Sequence, residues 1–456
     1  MKATRMGSSK LDKKKIFTGI KILFIRKHLR EITFIGGPAT FGDCLEILSF
    51  LLFKRKKIIN GRYIRQFENE FAKYIGAKYA FSFGAGRMAF YAILKAMDIK
   101  EGDEIILPAY TCVVVPNAII YCGAKPVYVD INPDTFTIDV NKIEEKITHR
   151  TKAIVAQHMF NHLCDMDVIL KIAKKYNLRV IEDCAHALGG EYKGRKAGNF
   201  GDAAFFTMDG TKIISTRKGG VAVTNDVELA DKLRKIENDT EFPSRKETLK
   251  IVLSFVISYF LGHPAIFFIG KYLLWLLGRL GILIPGIAPE EKRGEKPLKY
   301  PVRLTNIQAK IGLRQLANIE ANLKHRREIA KIYEEVLKEI GINIKSQDGY
   351  NPPHIRFAFL VKDRQKLKEI FQNNQIELGD WFNSPIHPKG SSLEPVHYQM
   401  GSCPVAEFVA EHCANLPTDP KVGEKDVKRI ARLLRQHSTL LLNPEKDLEV
   451  YNVTKL

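Results

Sequence analysis

The sequence has few cysteines, and no two of them form a Cys-x-x-Cys pair. The 456 residues contain seven, an odd number, scattered along the chain. They are Cys44, Cys112, Cys122, Cys164, Cys184, Cys403 and Cys413. A disulfide framework needs paired cysteines, and a zinc site needs clustered ligands. The pattern therefore argues against both and favours a reducing cytosol, and we predict no metal ion.

Acidic residues are also scarce: 51 Asp and Glu stand against 71 Lys and Arg, which gives a net charge of +20. Such a charge suits nucleic acid, an anionic membrane or a phosphorylated substrate. No helix-turn-helix, zinc-finger or aromatic-rich RNA-binding signature is present, so we expect no nucleic-acid partner. Many of the cations crowd the first sixty residues: Lys10, Lys13, Lys14, Lys15, Lys21, Arg26, Lys27, Arg30, Lys54, Arg55, Lys56 and Lys57.

Residues 1–66 are predicted to form a basic, amphipathic N-terminal arm. The apolar segment Ile20–Ile25 is short and interrupted by lysine, and no small-residue cleavage site follows it. We therefore expect an amphipathic helix there and not a secretory signal. A second apolar run, Cys44–Phe53, ends directly in the sequence KRKK.

From Phe67 onward, helix-length segments alternate with short apolar segments that are typical of buried strands. The predicted strands are DEIILP, AKPVYVD, TKAIVAQ, LRVIED and AAFFT, and the predicted helices include FENEFAKYIG, GRMAFYAILKAM and VILKIAKKYN. This alternation predicts a large α/β domain over residues 67–237, with a mostly parallel central sheet. Asp183 and Lys212 then lie beyond the carboxyl ends of strands, where such sheets bind ligands.

The alternation stops near Asn238, where a long apolar segment begins. Residues 251–284 carry only His263, Lys271 and Arg279 as ionisable groups, and Gly262-His263-Pro264 would break a helix in the middle. We predict that residues 238–300 form an apolar insertion, a shallow hairpin at a membrane interface and not a span. Residues 301–328 are expected to return to the large domain as a helix. Residues 329–456 are predicted to form a smaller C-terminal α/β domain, with IRFAFLVK as a strand and AEFVAEHCANL as a helix.

Lys212 follows a predicted strand and a turn at Asp209-Gly210, and a solvated loop lysine is the ordinary interpretation. Pyridoxal phosphate, however, needs a lysine for its aldehyde, a carboxylate for its pyridine nitrogen and donors for its phosphate. Asp183 offers the carboxylate, Thr207 a hydroxyl, and Gly86-Arg87 the start of a helix that favours phosphate. Each feature alone is weak, but their combination in this order is specific.

The chain resembles the DegT/DnrJ/EryC1/StrS family of pyridoxal-phosphate-dependent sugar aminotransferases. The matching stretches run from about Phe67 to Leu434, with the apolar insertion excluded. They are GDEIILPAYTCVVVPNAIIYCGAKPVYVDINPDTFTID, IEDCAHALGGEYKGRKAGNFGDAAFFTMDGTK, GGVAVTND, LTNIQAKIGLRQL and the pair SPIHP and LPTDP. The resemblance implies the type I fold of these transferases and a homodimer with active sites between two subunits.

The resemblance also assigns roles to residues. It makes Lys212 the lysine that holds the cofactor as an imine and Asp183 the partner of the pyridine nitrogen. Thr207 and Gly86-Arg87 would bind the phosphate, and His186 would contact the ring. His387 in SPIHP would lie near the sugar substrate. For His158, His162 and His263, a structural role is the expectation.

Three positions depart from the family pattern. Cys112 stands where relatives stack an aromatic ring on the cofactor, so either its sulfur packs there or a neighbour such as Tyr110 substitutes. Pro301-Val302-Arg303 replaces Asn-Tyr-Arg, which puts the cross-subunit phosphate contact in doubt. Arg217-Lys218 replaces Gly-Glu and adds positive charge that would favour a phosphorylated substrate.

The expected reaction moves an amino group from an amino acid, glutamate in relatives, to a nucleotide- or lipid-linked keto-sugar for surface glycan synthesis. The expected location is cytoplasmic, peripheral or monotopic on the inner face of the cytoplasmic membrane, with an anionic membrane surface as a partner. Two alternatives stay open. One is a sugar dehydratase, which retention of Lys212 disfavours, and the other is a non-catalytic cofactor-binding membrane scaffold or regulator.

Overall fold

The computed structural model describes residues 30–345, 347–444 and 447. The helix predicted at Ile20–Ile25 lies outside these residues. Within them, the chain builds a large α/β unit, a helical hairpin whose first helix packs against that unit, and a smaller C-terminal α/β unit.

Short strands form the sheets of the protein. They are β1 (Tyr79–Phe83), β2 (Glu104–Pro108), β3 (Thr111–Cys112), β4 (Lys125–Val129), β5 (Thr151–Gln157), β6 (Arg179–Asp183), β7 (Glu191–Tyr192), β8 (Arg195–Lys196), β9 (Ala203–Thr207), β10 (Gly220–Thr224), β11 (Tyr350–Asn351), β12 (Phe357–Leu360), β13 (Ile386–His387) and β14 (Cys413–Leu416). The central sheet has seven strands in the order β1-β10-β9-β6-β5-β2-β4. Strand β10 runs antiparallel to both of its neighbours, and the other pairs are parallel.

Helices cover both faces of this sheet. The helices of the described residues are α1 (Phe41–Phe53), α2 (Tyr63–Ile75), α3 (Gly86–Ala96), α4 (Val114–Ile120), α5 (Met166–Tyr176), α6 (Val227–Asp239), α7 (Arg245–Leu261), α8 (Phe267–Arg279), α9 (Pro289–Lys292), α10 (Asn306–Ala317), α11 (Ile319–Glu339), α12 (Arg364–Asn373), α13 (Pro404–His412) and α14 (Glu424–Gln436). Successive residues of a strand point to opposite faces, so Val180 joins one apolar core and Ile181 the other. The predicted fold class, a mostly parallel sheet covered on both faces with a smaller C-terminal α/β unit, is confirmed.

The predicted hairpin consists of α7 and α8. A capping box of Ser244 and Glu247 starts α7: the Glu247 amide donates to the Ser244 hydroxyl at 3.2 Å, and the Ser244 amide donates to the Glu247 carboxylate at 2.7 Å. Helix α7 ends at Leu261, directly before Gly262, and α8 begins at Phe267. Among the described residues, no helix combines the length and the apolar character needed to cross a bilayer.

The smaller unit surrounds the antiparallel pair β12 and β14, packed with α11, α12 and α14. One prediction in this region is wrong. The segment AEFVAEHCANL was expected to be one helix, but α13 ends at His412 and β14 begins at Cys413. The physical reason is that Phe357–Leu360 offers β14 a partner strand, a tertiary contact that overrides local periodicity.

Helix α13 and residues 381–398 pack on the core of the large sheet, through Phe382, Ile386 and Val409 among others. The segment 381–398 therefore reaches from the smaller unit to the carboxyl edge of the large sheet. The domain limits given above remain predictions.

Candidate functional site

A cavity of about 400 Å³ opens beyond the carboxyl edge of the central sheet. The last residues of three neighbouring parallel strands, Gln157 of β5, Asp183 of β6 and Thr207 of β9, line it. Lys212, which follows β9 after a turn, lines the same cavity. The edge position that the strand pattern predicted thus brings these side chains into one place.

Burial perturbs both ionisable groups at the centre of the cavity. Asp183 is 3% exposed and accepts a hydrogen bond from the Ala185 amide at 2.9 Å. Burial raises the pKa of Asp183 to about 6, against the opposing effects of that amide and of Lys212. Burial, with a smaller contribution from nearby Arg356, lowers the pKa of Lys212 to about 8 against the opposing effects of Asp183 and Asp209. An acid and an amine poised near neutrality in a cleft are suited to proton transfer and to nucleophilic chemistry.

The floor of the cavity is the start of α3. Ala85 precedes this helix and has no side-chain oxygen to cap it, so the first-turn amides are available to another acceptor. Gly86 lies so close to β9 that an added Cβ would come within 2.7 Å of the Thr207 Cβ. The absence of a side chain at Gly86 therefore lets the helix start approach the Thr207 hydroxyl. A phosphate fits this combination of amides and hydroxyl.

The Arg87 side chain turns away from this floor toward a segment that we call the strap, Ile284–Lys292. Both Nη atoms of Arg87 donate to the Gly286 carbonyl at 3.1 Å, and its Nε forms an ion pair with buried Glu291 at 2.5 Å. Glu291 itself accepts from the Ala288 amide at 2.8 Å. Arg87 thus anchors the strap with its guanidinium.

Arg217 and Lys218, the predicted substrate cations, also contact the strap. Arg217 Nη2 donates to the Ile284 carbonyl at 2.9 Å, and Lys218 Nζ donates to the Gly286 carbonyl at 3.1 Å. Burial and, to a smaller extent, Arg87 lower the pKa of Lys218 to about 8. Neither residue is among those that line the cavity. Their positive charges therefore contact the strap from outside the cavity.

The strap supplies part of the cavity wall. Pro285, Gly286, Ile287 and Lys292 line it, and the Lys292 carbonyl accepts from the Ser392 amide at 2.8 Å. The strap therefore bridges the Arg87 side of the cavity and the loop that follows β13.

An aromatic wall faces Lys212. The rings of His186 and Trp381 stack at 5.3 Å with 7° between their planes. Lys212 Nζ lies 4.6 Å from the Trp381 ring centroid, and the Arg356 guanidinium carbon lies 3.4 Å from it. Burial, reinforced by Lys212 and Arg356, lowers the pKa of His186 well below its usual range, so its ring is neutral at pH 7.

A short parallel pairing brings together residues that are 275 positions apart. In this pair of β3 with β13, Cys112 lies opposite His387, and both line the cavity. Burial raises the pKa of the Cys112 thiol to about 11. Burial lowers the pKa of His387 to about 4, and its Nδ1 lies 3.0 Å from the Asn383 Oδ1. The cavity thus has a neutral thiol and a neutral imidazole side by side.

Tyr110 does not take the place that was considered for it. Its ring is fully buried, and its hydroxyl accepts from the Phe382 amide at 2.7 Å and donates to the Phe382 carbonyl at 3.1 Å. The side chain that lines the cavity on this strand is Cys112, so that alternative is wrong because the core holds Tyr110.

A second buried acid lies beside Asp183. Glu182 points to the other face of the sheet and accepts from three amides, those of Gly198, Phe200 and Gly201, at 2.8, 2.6 and 2.8 Å. His158 Nε2 lies 3.0 Å from the same carboxylate. Burial alone would raise the pKa of Glu182, but His158 and these amides lower it.

The other two histidines lie elsewhere. His162 is buried, and burial lowers its pKa to about 4, whereas His263 is exposed in the turn between α7 and α8. At the departure from Asn-Tyr-Arg, the Val302 carbonyl accepts from the Gly84 amide at 2.7 Å, and Arg303 Nη2 lies 3.4 Å from Glu237. Val302 therefore stabilises the loop between β1 and α3 within the same chain.

Trp381, Arg356 and Lys292 are among the contributors to the cavity and its wall that sequence reasoning missed. Trp381 lies three residues before SPIHP, so its nearness to a recognised motif was a usable signal. Arg356 lies directly before β12 and reaches the site only through the packing of the smaller unit, and Lys292 reaches it through the strap. No local pattern announces either contact.

Fold and cavity together are those of the pyridoxal-phosphate-dependent aminotransferases. A buried lysine and acid, an uncapped helix start and a strand-end hydroxyl meet the needs of that cofactor. The sequence profile of the DegT/DnrJ/EryC1/StrS aminotransferase family matches residues 51–256 and 282–435. The chain belongs to this family, is an aminotransferase and uses pyridoxal phosphate.

Named relatives are similar over most of the chain. The chain is 33% identical to the GDP-perosamine synthase of Caulobacter vibrioides, over 82% of this chain and 90% of that protein. It is 32% identical to the dTDP-3-amino-3,6-dideoxy-alpha-D-galactopyranose transaminase of Aneurinibacillus thermoaerophilus, over 83% and 91%. A solved family aminotransferase from Brucella abortus shares the fold, with a TM-score of 0.68, 24% identity and coverage of 87% and 95%.

Proposed function

We propose that this enzyme transfers an amino group from glutamate to a keto-sugar linked to a nucleotide or a lipid, for surface glycan or glycolipid synthesis. The convergence of Lys212, Asp183 and Thr207 on one cavity carries the proposal. The names of the relatives support a sugar acceptor, since both describe amino sugars on nucleotide carriers.

In this proposal, each functional group of the cofactor contacts a specific residue. Lys212 Nζ would hold the aldehyde carbon, and the Asp183 carboxylate would pair with the pyridine nitrogen. The Thr207 hydroxyl and the amides of Gly86 and Arg87 would hold the phosphate, and the His186 ring would contact the cofactor ring. The shifted pKa of Asp183 fits this, because a buried carboxylate gains most from a cationic partner.

Pyridoxal phosphate supplies an electron sink for the pair of electrons released at the amino-acid α-carbon. Lys212 would move the proton, taking it from that carbon and delivering it to the cofactor C4′. An ordinary lysine, with a pKa near 10.4, is almost entirely protonated at neutral pH and cannot accept a proton. Because burial lowers the pKa of Lys212 to about 8, a useful fraction of this amine is neutral.

The acceptor sugar would lie between His387 and the strap. His387 is neutral and Asn383 engages its Nδ1, so its Nε2 would be the nitrogen that exchanges a hydrogen bond with a sugar hydroxyl group. Lys292 would meet the phosphate of the carrier at the cavity wall, and Arg217 and Lys218 would add positive potential from behind the strap.

We also propose a homodimer located at the inner face of the cytoplasmic membrane. The family resemblance supports the dimer. The net charge of +20 and the apolar hairpin of α7 and α8 support an anionic membrane surface. Sedimentation equilibrium of the purified chain would test the dimer, and a monomer at micromolar concentration would contradict it.

The decisive experiment is the absorption spectrum of the purified holoenzyme before and after L-glutamate. We expect glutamate to replace the absorbance of the lysine-bound cofactor with that of its amine form, and a nucleotide-linked keto-sugar to restore it. D-glutamate is the matched control, since the pocket is chiral. A spectrum that no amino acid changes would refute the proposed reaction.

A further inference from the structure

Three helices expose apolar side chains at helical spacing. On α1 the exposed residues are Phe41, Leu45, Leu48, Leu52 and Phe53; on α7 they are Leu249, Leu253 and Phe260; on α8 they are Ile269, Tyr272, Leu273, Trp275 and Leu276. We call this set the apolar face. Their exposed fractions run from 37% for Leu249 to 81% for Phe53. Exposed apolar patches of this kind mark interaction sites on proteins.

The three helices are held in place, so these side chains cannot turn inward. The opposite sides of α1 and α7 share a buried core that includes Ile47, Phe50 and Phe255. Phe41 and Phe260, one from each helix, meet edge to face at 6.5 Å. Helix α8 packs on the end of α7, where an added Cβ on Gly270 would come within 2.0 Å of the Leu261 carbonyl oxygen. Whatever covers the apolar face must therefore come from outside.

The apolar face lies partly outside the segments that match the family profile. The family profile omits residues 257–281, which contain all of α8 and the last residues of α7. The central sheet and the cavity are built from matched segments, so the fold itself does not require an exposed face at this place.

Positive charge surrounds the face. The cations on its helices or directly after them are Lys54, Arg55, Lys56, Lys57, Arg245, Lys246, Lys250, Lys271 and Arg279. Within the described part of the chain, none of the four cations at positions 54–57 forms an ion pair. Lys54 lies over the Phe50 ring at 5.0 Å, and Arg55 donates to the Leu51 carbonyl at 2.6 Å. The cluster is therefore free to meet an external anion.

Charge decides between the possible occupants. A second copy of the face would bring like charges together. Residues 1–29 would do the same, because Asp12 is their only acid against the cations Lys2, Arg5, Lys10, Lys13, Lys14, Lys15, Lys21, Arg26 and Lys27. An anionic bilayer offers both an apolar layer and a negative surface. We infer that the apolar face docks on an anionic bilayer, with α1, α7 and α8 lying in the plane of the headgroup boundary.

This docking also places the strap close to the lipid. Only five peptide units separate Leu280, just after α8, from Pro285 of the strap, so these residues lie within about 18 Å of each other. A sugar whose phosphate carrier is at the membrane would then reach the strap side of the cavity. This consequence rests on the proposed amino transfer, whereas the docking rests only on the membrane location proposed above, to which it assigns a surface.

The two tryptophans give a direct test. Trp275 belongs to the apolar face, and Trp381 lines the cavity. In the Trp381→Phe variant, Trp275 is the only indole that can report. We expect its emission to shift to the blue and to be quenched by vesicles of phosphatidylcholine and phosphatidylglycerol with brominated acyl chains. Vesicles of brominated phosphatidylcholine alone should quench it less. Unchanged emission with anionic vesicles would overturn the docking.

Matched variants separate docking from other effects. The double variant Leu48→Glu and Leu276→Glu should lower the fraction that sediments with anionic vesicles at least about tenfold, because two charges would enter the apolar layer. Val227→Glu and Met400→Glu are controls at equally exposed apolar residues outside the face, and they should sediment normally. If the double variant still sediments with vesicles, the face is not the docking site.

The glutamate-dependent spectrum and the oligomeric state distinguish a failure of the docking from a failure of the proposed amino transfer. The double variant should retain the glutamate-dependent spectral change, since neither Leu48 nor Leu276 lines the cavity. The absence of a spectral change in the unaltered holoenzyme would instead refute the proposed amino transfer and leave docking unaffected. If the double variant falls apart from dimer to monomer and the parent ignores vesicles, a second copy covers the face and the inference is wrong.

Discussion

The cavity and the apolar face depart from ordinary burial in opposite directions. The cavity and its wall bury charge, as at Asp183 and Arg356, whereas the apolar face exposes large side chains such as Leu48 and Trp275. Buried ionisable groups and exposed apolar patches are the two informative exceptions to the usual distribution. Each region has the chemical character of a binding surface whose partner is absent from the protein itself. The cavity suits a small charged aromatic molecule, and the face suits lipid.

The largest effect is expected in the cavity, from Lys212→Ala. Without its amine, the enzyme cannot hold the cofactor covalently or move the proton, so amino transfer should fall by at least about a thousandfold. The absorbance of lysine-bound cofactor should also disappear. Lys425→Ala, at an exposed lysine of α14, is the control. Turnover that persists in Lys212→Ala would contradict the catalytic role proposed for Lys212.

The next comparison uses the two sides of α1. Phe50 is fully buried and lies 5.8 Å from the Tyr63 ring, so Phe50→Ala should cost about 3–5 kcal/mol of stability. Leu48→Ala, on the exposed side, should change stability by no more than about 0.5 kcal/mol. Thermal unfolding of the holoenzyme measures both. Vesicle binding should instead be weakened more by Leu48→Ala than by Phe50→Ala. Equal effects of the two substitutions in both assays would contradict the proposed difference between the two sides of α1.

A third substitution tests the anchor of the strap. Glu291→Gln would leave the largely buried Arg87 without its countercharge, at a cost of about 3 kcal/mol. Glu290→Gln, at an exposed position in the same short helix, should have almost no effect. Thermal unfolding again provides the measurement. A similar loss in both variants would mean that the Arg87 ion pair does not hold the strap.

The smallest effect is a shift in pH dependence. In the proposed role of Lys212, its neutral amine would capture the cofactor, and burial together with nearby Arg356 lowers its pKa to about 8. Removing this cation with Arg356→Gln makes the protonated lysine less unfavourable, so its pKa rises. The rate at which cofactor-free enzyme captures pyridoxal phosphate should then reach half its maximum at higher pH, by roughly one unit or less.

The control for this shift is Arg435→Gln, since Arg435 pairs with Glu339 on the surface of the smaller unit. Its pH profile should match that of the parent enzyme. A profile that moves to lower pH in Arg356→Gln would contradict the proposed electrostatic effect of Arg356 on Lys212.

The strands and the edge position of Asp183 and Lys212 were predictable because both depend on local patterns. Strands β5, β6 and β9 have five to seven residues and contain short apolar runs, and parallel strands align their carboxyl ends. The strand order, which is long-range, has no local signature.

Other features of the site depend on contacts between distant segments. The β3–β13 pairing that sets Cys112 beside His387 involves two residues in each strand, too few for a recognisable pattern. Arg87 was predicted to help bind phosphate, and the sequence contains no sign that Glu291 is its partner. The start of β14 was missed because Cys413 follows α13 without the glycine or proline that normally marks such a boundary.

The neighbouring acids of β6 make the fidelity of strand pairing a condition of the chemistry. Glu182 and Asp183 face opposite sides of the sheet, and a slip of β6 by one residue would turn each of them to the other side. If each residue of β6 took the place of the one before it, Asp183 would meet the three amides that now hold Glu182, and Cys184 would take the place of Asp183 at the cavity. A single deletion in the loop before β6 that produced this slip would remove the carboxylate proposed to meet the pyridine nitrogen.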